Sequence, residues 1–270
     1  MSSGFMRLEW RQMLRSRWLQ LVGLLFVFVF AAVMAIQQLT IPPSSGFSRQ
    51  AAAMFNVQLF LLPLFLLTIG SMNIAGDAES GWLHLLKTYP MKMSRYIAGK
   101  YMALAGAFLL IALLSMGAVL AISGIAGALS GMGVYIVTSL LLIFIFSALA
   151  LLLGSIAKNR LHALALSLVF WASWLLLIPY ALMAIGPALA GHVVKTFIIF
   201  NIHVNPVEWV RFSFFLATGN GDALGPAFYG LTGFYTEPLG VVTAIAVTSL
   251  WIVLPLSVAA MVLKRRERQT

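Results

Sequence analysis

The chain reads as long apolar stretches divided by short polar ones. Six runs, at 18–39, 54–75, 101–122, 132–157, 161–185 and 239–263, carry essentially no Asp, Glu, Lys or Arg. Each supplies the roughly 20 apolar residues that a helix needs to cross a bilayer. Lipid offers no partner to backbone N–H and C=O groups, so runs of this kind form helices. The short alternating segments of a membrane β-barrel are absent. The pattern predicts an all-α integral membrane protein with six transmembrane helices. Ahead of the first run, 4–17 reads as an interfacial helix. Met6, Trp10, Met13 and Leu14 fall on one side, and Arg7, Arg11 and Arg15 on another.

Composition narrows the class further. Of 270 residues, 61% are hydrophobic and 9% charged, far from the balance of a soluble domain. A soluble enzyme, a disordered chain and a nucleic-acid-binding domain are excluded on that ground. The net charge of +10 could point to nucleic acid, but its placement does not. With both termini cytoplasmic, the inner segments hold Arg7, Arg11, Arg15, Arg17, Lys87, Lys92, Arg95, Lys100, Lys158, Arg160, Lys264, Arg265, Arg266 and Arg268, which is 14 of the 17 Lys and Arg. Arg49, Lys195 and Arg211 fall outside. The basic balance is thus a topology signal, with anionic membrane lipid as its partner and no nucleic acid. The first apolar run is too long for a cleaved signal and reads as a retained span. The absence of cysteine excludes disulfides and thiolate chemistry.

The segments between spans carry what chemistry there is. No zinc-protease, nucleophile-elbow or P-loop motif occurs, so no catalytic residue, metal site or cofactor is expected in this chain. The expected spans hold no buried ionisable pair of the kind an ion-coupled carrier uses. Energy for transport would then come from a partner. The inner loop 76–100 is the richest stretch. Asp77 and Glu79 open it where a helix N-terminus favours acids. Trp82, Leu83 and Leu86 supply an apolar side, and Pro90 ends the element after Tyr89. From pattern alone, this short rod either slots into a groove on a cytosolic partner or lies on headgroups. The second inner loop is only Lys158-Asn159-Arg160. Residues 186–238 form the one long outer segment.

The stretch Glu79-Ser80-Gly81-Trp82-Leu83-His84-Leu85-Leu86-Lys87-Thr88-Tyr89-Pro90, followed by Arg95 and Gly99-Lys100, resembles the first cytoplasmic loop of ABC-2 type permeases. It is most similar to their NosY-like branch, which serves nitrous oxide reductase maturation. Trp82 stands where that branch prefers Thr. Asn205-Pro206-Val207-Glu208-Trp209-Val210-Arg211 resembles the element preceding the branch's last span. The resemblance implies a single ABC-2 transmembrane domain over 1–270, with 4–17 as its elbow helix, in a bacterial inner membrane. It implies pairing with a second copy and with ABC ATPase subunits, and a possible periplasmic β-helix partner. Asp77, Glu79, Gly81, Trp82, Leu83, Leu86, Tyr89, Pro90 and Arg95 would couple to the ATPase. Lys158, Asn159 and Arg160 would make a second cytoplasmic contact, and Asn205, Pro206, Glu208 and Arg211 an outer-face element. ATP hydrolysis would belong to the partner. The alternatives are an ABC-2 exporter of lipid, peptide or drug, and a stand-alone secondary carrier.

Several residues carry local expectations of their own. Asn205 suits a helix N-cap with Pro206 at the first helical position. Glu208 and Arg211, three apart, can meet on one helical face. Pro179 and Pro187 predict a kinked or broken fifth helix near its outer end. Trp171 and Trp174 either line a path or pack between helices. His192 and His203 are too few for a metal site. Gly124, Gly127 and Gly131 read as a tight outer turn.

Overall fold

The computed structural model describes residues 2–40, 47–82, 92–123 and 125–269, with side chains for 4–39, 52–82, 92–122, 133–222 and 224–266. Among the described residues there is no strand. The helices are α1 (Ser2–Leu14), α2 (Arg17–Thr40), α3 (Phe47–Glu79), α4 (Met93–Ser123), α5 (Ile125–Ile156), α6 (Arg160–Ala172), α7 (Ile178–Ile185), α8 (Gly191–Val204), α9 (Pro206–Ala217), α10 (Tyr229–Thr236) and α11 (Pro238–Gln269). Six helical stretches among these residues are long and apolar enough to span a membrane: α2, α3, α4, α5, the α6–α7 run and α11.

Helix α5 is the centre of the bundle. Leu142, Ile143, Ile145, Phe146, Ala148, Leu149, Ala150 and Leu151 are all buried, so over this stretch the helix is apolar all round because other helices surround it. It packs most extensively on α3 and next on α11, while α2 lies along α4 and α6 along α3. Helix α2 shows the peripheral case. Leu19, Val22, Phe26, Phe30 and Met34 form a buried stripe at three- and four-residue spacing, while Leu21, Leu24, Phe28 and Leu39 are exposed. Lipid is as apolar as leucine, so exposure there carries no penalty and contact is driven by close packing.

Close packing needs small residues at the crossings. A Cβ on Gly154 of α5 would lie 2.6 Å from the Ser71 carbonyl oxygen and 2.8 Å from Ile74 Cβ of α3. Backbone atoms cannot give way there, so Gly154→Val is expected to destabilise by about 1–3 kcal/mol, read as a lower melting temperature in detergent. Beside this crossing, α6 is clasped to α3. Ser167 Oγ donates to the Leu67 carbonyl at 3.0 Å, which leaves Ser71 Oγ to donate to Ser167 Oγ at 2.7 Å.

The fifth span is continuous but irregular, with a π turn mid-span just before Pro179 and a 3₁₀ turn at its Pro187 end. Residues Ser173–Leu177 form a π-helical turn in which the Ile178 N–H bonds the Ser173 carbonyl, and a 3₁₀ turn at Gly186–Ala188 contains Pro187. Continuing that register would require an N–H on Pro179, which proline lacks. The Trp174 carbonyl is thereby left for another donor.

Two expectations change. Gly127 and Gly131 lie inside α5, so they do not form a turn; Gly124 lies outside the described residues. The 186–238 segment, expected to lie outside the membrane-spanning bundle, is largely helical, and its α9 sinks into the bundle. Phe214 stacks on Phe55 of α3 at 4.0 Å, and Trp209, Val210 and Phe212 are buried. The expected loop 76–100 contributes both its ends to helices, since α3 runs to Glu79 and α4 starts at Met93.

Candidate functional site

The ends of the helices that carry Arg7–Arg17, Asp77–Lys100, Lys158–Arg160 and Lys264–Arg266 meet at one end of the bundle, the basic end. The last turns of α3 are its hub. Lys100 of α4, 2% exposed, reaches three acceptors: Glu9 of α1 and Asp77 of α3, each at 2.8 Å, and the Asn73 side-chain oxygen at 2.7 Å. A lysine ammonium has three donors, and each is used. The Tyr96 hydroxyl donates to the same Asp77 carboxylate at 2.6 Å. Phe5 of α1 packs on the Tyr96 ring at 6.0 Å. Burial pushes the Glu9 carboxyl above its ordinary pKa, and the neighbouring Lys100 pulls it down. Three helices are thus riveted through one lysine.

On the other flank, α3 is tied to α6. The Arg160 backbone N–H donates to Glu79 Oε2 at 3.1 Å. The Arg160 side chain lies over Gly76, where a Cβ would come within 2.5 Å of its Nε. Asn159 caps α6, its side-chain oxygen accepting from the His162 N–H at 2.8 Å. The exposed Lys158 donates its backbone N–H to His162 Nδ1 at 3.1 Å. Arg266 at the end of α11 donates to the Ala157 and Ile156 carbonyls, at 2.8 and 2.6 Å. These are the last carbonyl of α5 and the one just past it, which have no partner within the helix.

The sequence-derived inner residues therefore divide. Asp77 faces inward, into the Lys100 cluster. Glu79 is exposed, with one carboxylate oxygen on the α6 N-terminus. Gly81 has φ +75, the left-handed region that favours glycine, so the chain turns sharply just past α3. Trp82 is exposed. Arg95 is exposed in the first turn of α4. Leu83, Leu86, Tyr89 and Pro90 lie outside the described residues. Sequence reasoning missed Glu9, Asn73, Tyr96, Lys100 and Arg266 as partners of these groups. One signal was available: Glu9 is the sole acid in residues 1–76, and Lys100 directly adjoins an apolar run.

Away from the basic end, Asn205 is fully buried and Pro206 is buried beside it. The Asn205 side-chain oxygen accepts from the Val207 N–H at 2.9 Å and the Glu208 N–H at 3.4 Å, making it the N-cap of α9. Its amide nitrogen donates to the Trp174 carbonyl at 2.9 Å, the acceptor that Pro179 leaves open. One side chain thus starts α9 and completes the π turn. Arg211 donates to Glu208 at 2.6 Å. Burial raises the Glu208 pKa against the pull of Arg211.

Trp171 donates from its ring nitrogen to the Phe60 carbonyl at 3.1 Å, and its ring meets Phe60 edge-on at 4.8 Å. Trp174 packs on Phe170 at 5.8 Å. His203 Nδ1 faces the Ile199 carbonyl at 2.7 Å and so carries the proton. Its Nε2 then accepts from the Tyr235 hydroxyl at 2.6 Å. Both ring nitrogens are engaged, Nδ1 within α8 and Nε2 in holding α8 to α10. His192 lines a hollow with Val193, Thr196, Phe197 and Phe200.

Six apolar helices, knitted at a basic end by side-chain ties, define a multi-pass membrane protein. Among the described residues no three His, Cys, Asp or Glu side chains gather as a metal site would require. The family model described as ABC-2 family transporter protein matches residues 5–268, and the chain belongs to that family. It is similar to the Probable ABC transporter permease protein NosY of Pseudomonas aeruginosa, with 32% identity over 212 residues, covering 73% of this chain and 75% of the relative. It is also similar to the protein of the same name from Stutzerimonas stutzeri, with 29% identity over 223 residues, covering 78% and 80%. Membership implies work alongside an ABC ATPase subunit.

Proposed function

We propose that this chain is the membrane permease subunit of an ATP-driven transporter serving copper–sulfur cluster maturation of nitrous oxide reductase. It works in a bacterial inner membrane as a homodimer with two ATPase subunits. Both termini and the basic end face the cytoplasm, and α1 is the elbow helix. The segment from Asp77 to Arg95 receives the ATPase, with Lys158–Arg160 as a second contact. ATP is hydrolysed on the partner, and this chain supplies no catalytic group. A periplasmic β-helix partner meets the opposite face, where Asn205, Pro206, Glu208 and Arg211 order the outer helices.

The observation that carries this reading is the double anchoring of α3 directly before residue 80. On one side Asp77 and Asn73 hold Lys100, which holds Glu9 of α1. On the other, Glu79 holds the start of α6. A push on the segment after Gly81 therefore reaches α1, α4 and α6 together, since packed elements shift as units.

The test is purification of the tagged chain from native membranes in mild detergent. A Walker-motif protein is expected in near-stoichiometric amount, with ATP turnover. Glu79→Lys sets a cation against the α6 N-terminus and is expected to abolish that turnover. A chain that emerges alone after cross-linking, without turnover, would sink the reading. The maturation role is checked by deletion in a denitrifying host, where nitrous oxide reductase is expected to lose its cluster absorption. Retained absorption would point to export of a lipid, peptide or drug.

A further inference from the structure

Helix α1 is turned so that its charges separate. Glu9, the one acid in residues 1–76, points into the bundle and is held by Lys100. Met13 is buried beside it. The Trp10 ring lies where a Cβ on Gly106 would overlap it, and Phe5 lies against Gly99. The outer face carries Arg7, Arg11 and Arg15, four residues apart and all exposed, followed by the exposed Arg17. None of the four is in an ion pair among the described residues. Exposed apolar side chains lie among them: Met6, Leu8 and Trp18, the last 73% exposed.

Location selects the occupant of this face. Only two residues separate α1 from α2, which begins a span at Arg17. Through Phe5, Glu9 and Trp10, α1 lies along Gly99, Lys100 and Gly106, in the second to fourth turns of α4, itself a span. That half of α4 lies toward the basic end of the bundle, where α2 enters its span. Unneutralised arginines, exposed leucine and methionine, and a tryptophan at that depth match the boundary of headgroup and acyl chain.

We propose that the Arg7–Arg11–Arg15 face of α1 binds the phosphate headgroups of anionic phospholipid. Its occupancy is transmitted through Glu9 and Lys100 to Asp77 at the root of the segment after α3. The transmission half rests on the ATPase reading above; the binding half does not.

Binding is tested by native mass spectrometry of the full chain from micelles with equal phosphatidylglycerol and phosphatidylcholine. The wild type is expected to retain phosphatidylglycerol on the order of a hundredfold over phosphatidylcholine, about fivefold for each arginine. The R7Q/R11Q/R15Q variant is expected to lose that preference, at about fivefold per arginine, while R7K/R11K/R15K keeps most of it. If the triple variant fails to fold, R11Q alone is expected to show its fivefold share. Equal retention by the wild type, or unchanged preference in a folded glutamine variant, overturns the proposal. Loss of ATPase co-purification with lipid preference intact also overturns it, and assigns the face to a protein contact.

Transmission is read as ATP turnover of the complex in phosphatidylglycerol against phosphatidylcholine nanodiscs. Turnover is expected to rise several-fold with phosphatidylglycerol in the wild type. In Glu9→Gln, the rise is expected to vanish while lipid retention persists. A rise that survives Glu9→Gln overturns the transmission step. If the wild-type complex shows no turnover in either lipid, transmission falls with the ATPase reading. The mass-spectrometric result still decides the binding site.

Discussion

Lys100→Met is expected to cost about 3–5 kcal/mol and to empty the monodisperse peak of the detergent-purified protein. The reason is electrostatic rather than steric. Methionine fills nearly the same volume, but it leaves the buried Glu9, 2% exposed, and the part-buried Asp77 as two carboxylates that repel each other. Only the Tyr96 hydroxyl remains to meet the Asp77 carboxylate. The companion variant, Glu9→Gln with Asp77→Asn and Lys100→Met, removes every charge together. It is expected to recover most of the lost stability, because a neutral cluster has no uncompensated ion to bury. Size-exclusion profiles and melting temperatures decide this. A Lys100→Met protein that melts with the wild type would mean that the two carboxylates find compensation elsewhere.

Asn205→Leu is expected to cost about 2–5 kcal/mol, from two independent losses. Removing the N-cap of α9 costs about 1–2 kcal/mol. Stranding the Trp174 carbonyl away from water costs about 1–3 kcal/mol more. Asn205→Ser separates the two, since serine can still accept from the Val207 N–H but cannot reach Trp174. It is expected to show roughly half the drop in melting temperature. Hydrogen exchange of the amides at 175–185 should rise in both variants if the bond to Trp174 holds the π turn. Unchanged exchange there would show that packing alone maintains the irregularity.

Legibility in the sequence followed the range of the interaction concerned. The irregularity in the fifth span could be read from Pro179 and Pro187, because a missing N–H acts within one helical turn. The cap at Asn205 and the Glu208–Arg211 pair could be read for the same reason. The partner of Asn205 could not. Trp174 is 31 residues away in sequence, and nothing in either neighbourhood signals the other. The pattern at Gly127 and Gly131 could not choose between a turn and a helix in lipid, where close approach rewards a small residue. Asp77 looked like a surface acid because an acid after an apolar run ordinarily meets water. Here α4 brings a lysine to it.

By itself, the order of residues determined that this is an all-α membrane protein with six spanning helices. It also determined where their polar connections fall and which ends are basic. Those properties follow from how each segment partitions between lipid and water, a local free energy summed over about 20 residues. The tertiary structure alone decided that Glu9, Asp77 and Lys100 form one buried knot and that Glu79 addresses the start of α6. It alone showed that α9 lies within the bundle and that Asn205 completes a distant π turn. These depend on which helix faces meet, and in lipid that choice is made by close packing and polar ties between residues remote in sequence. Apolarity cannot make it, because every face is apolar.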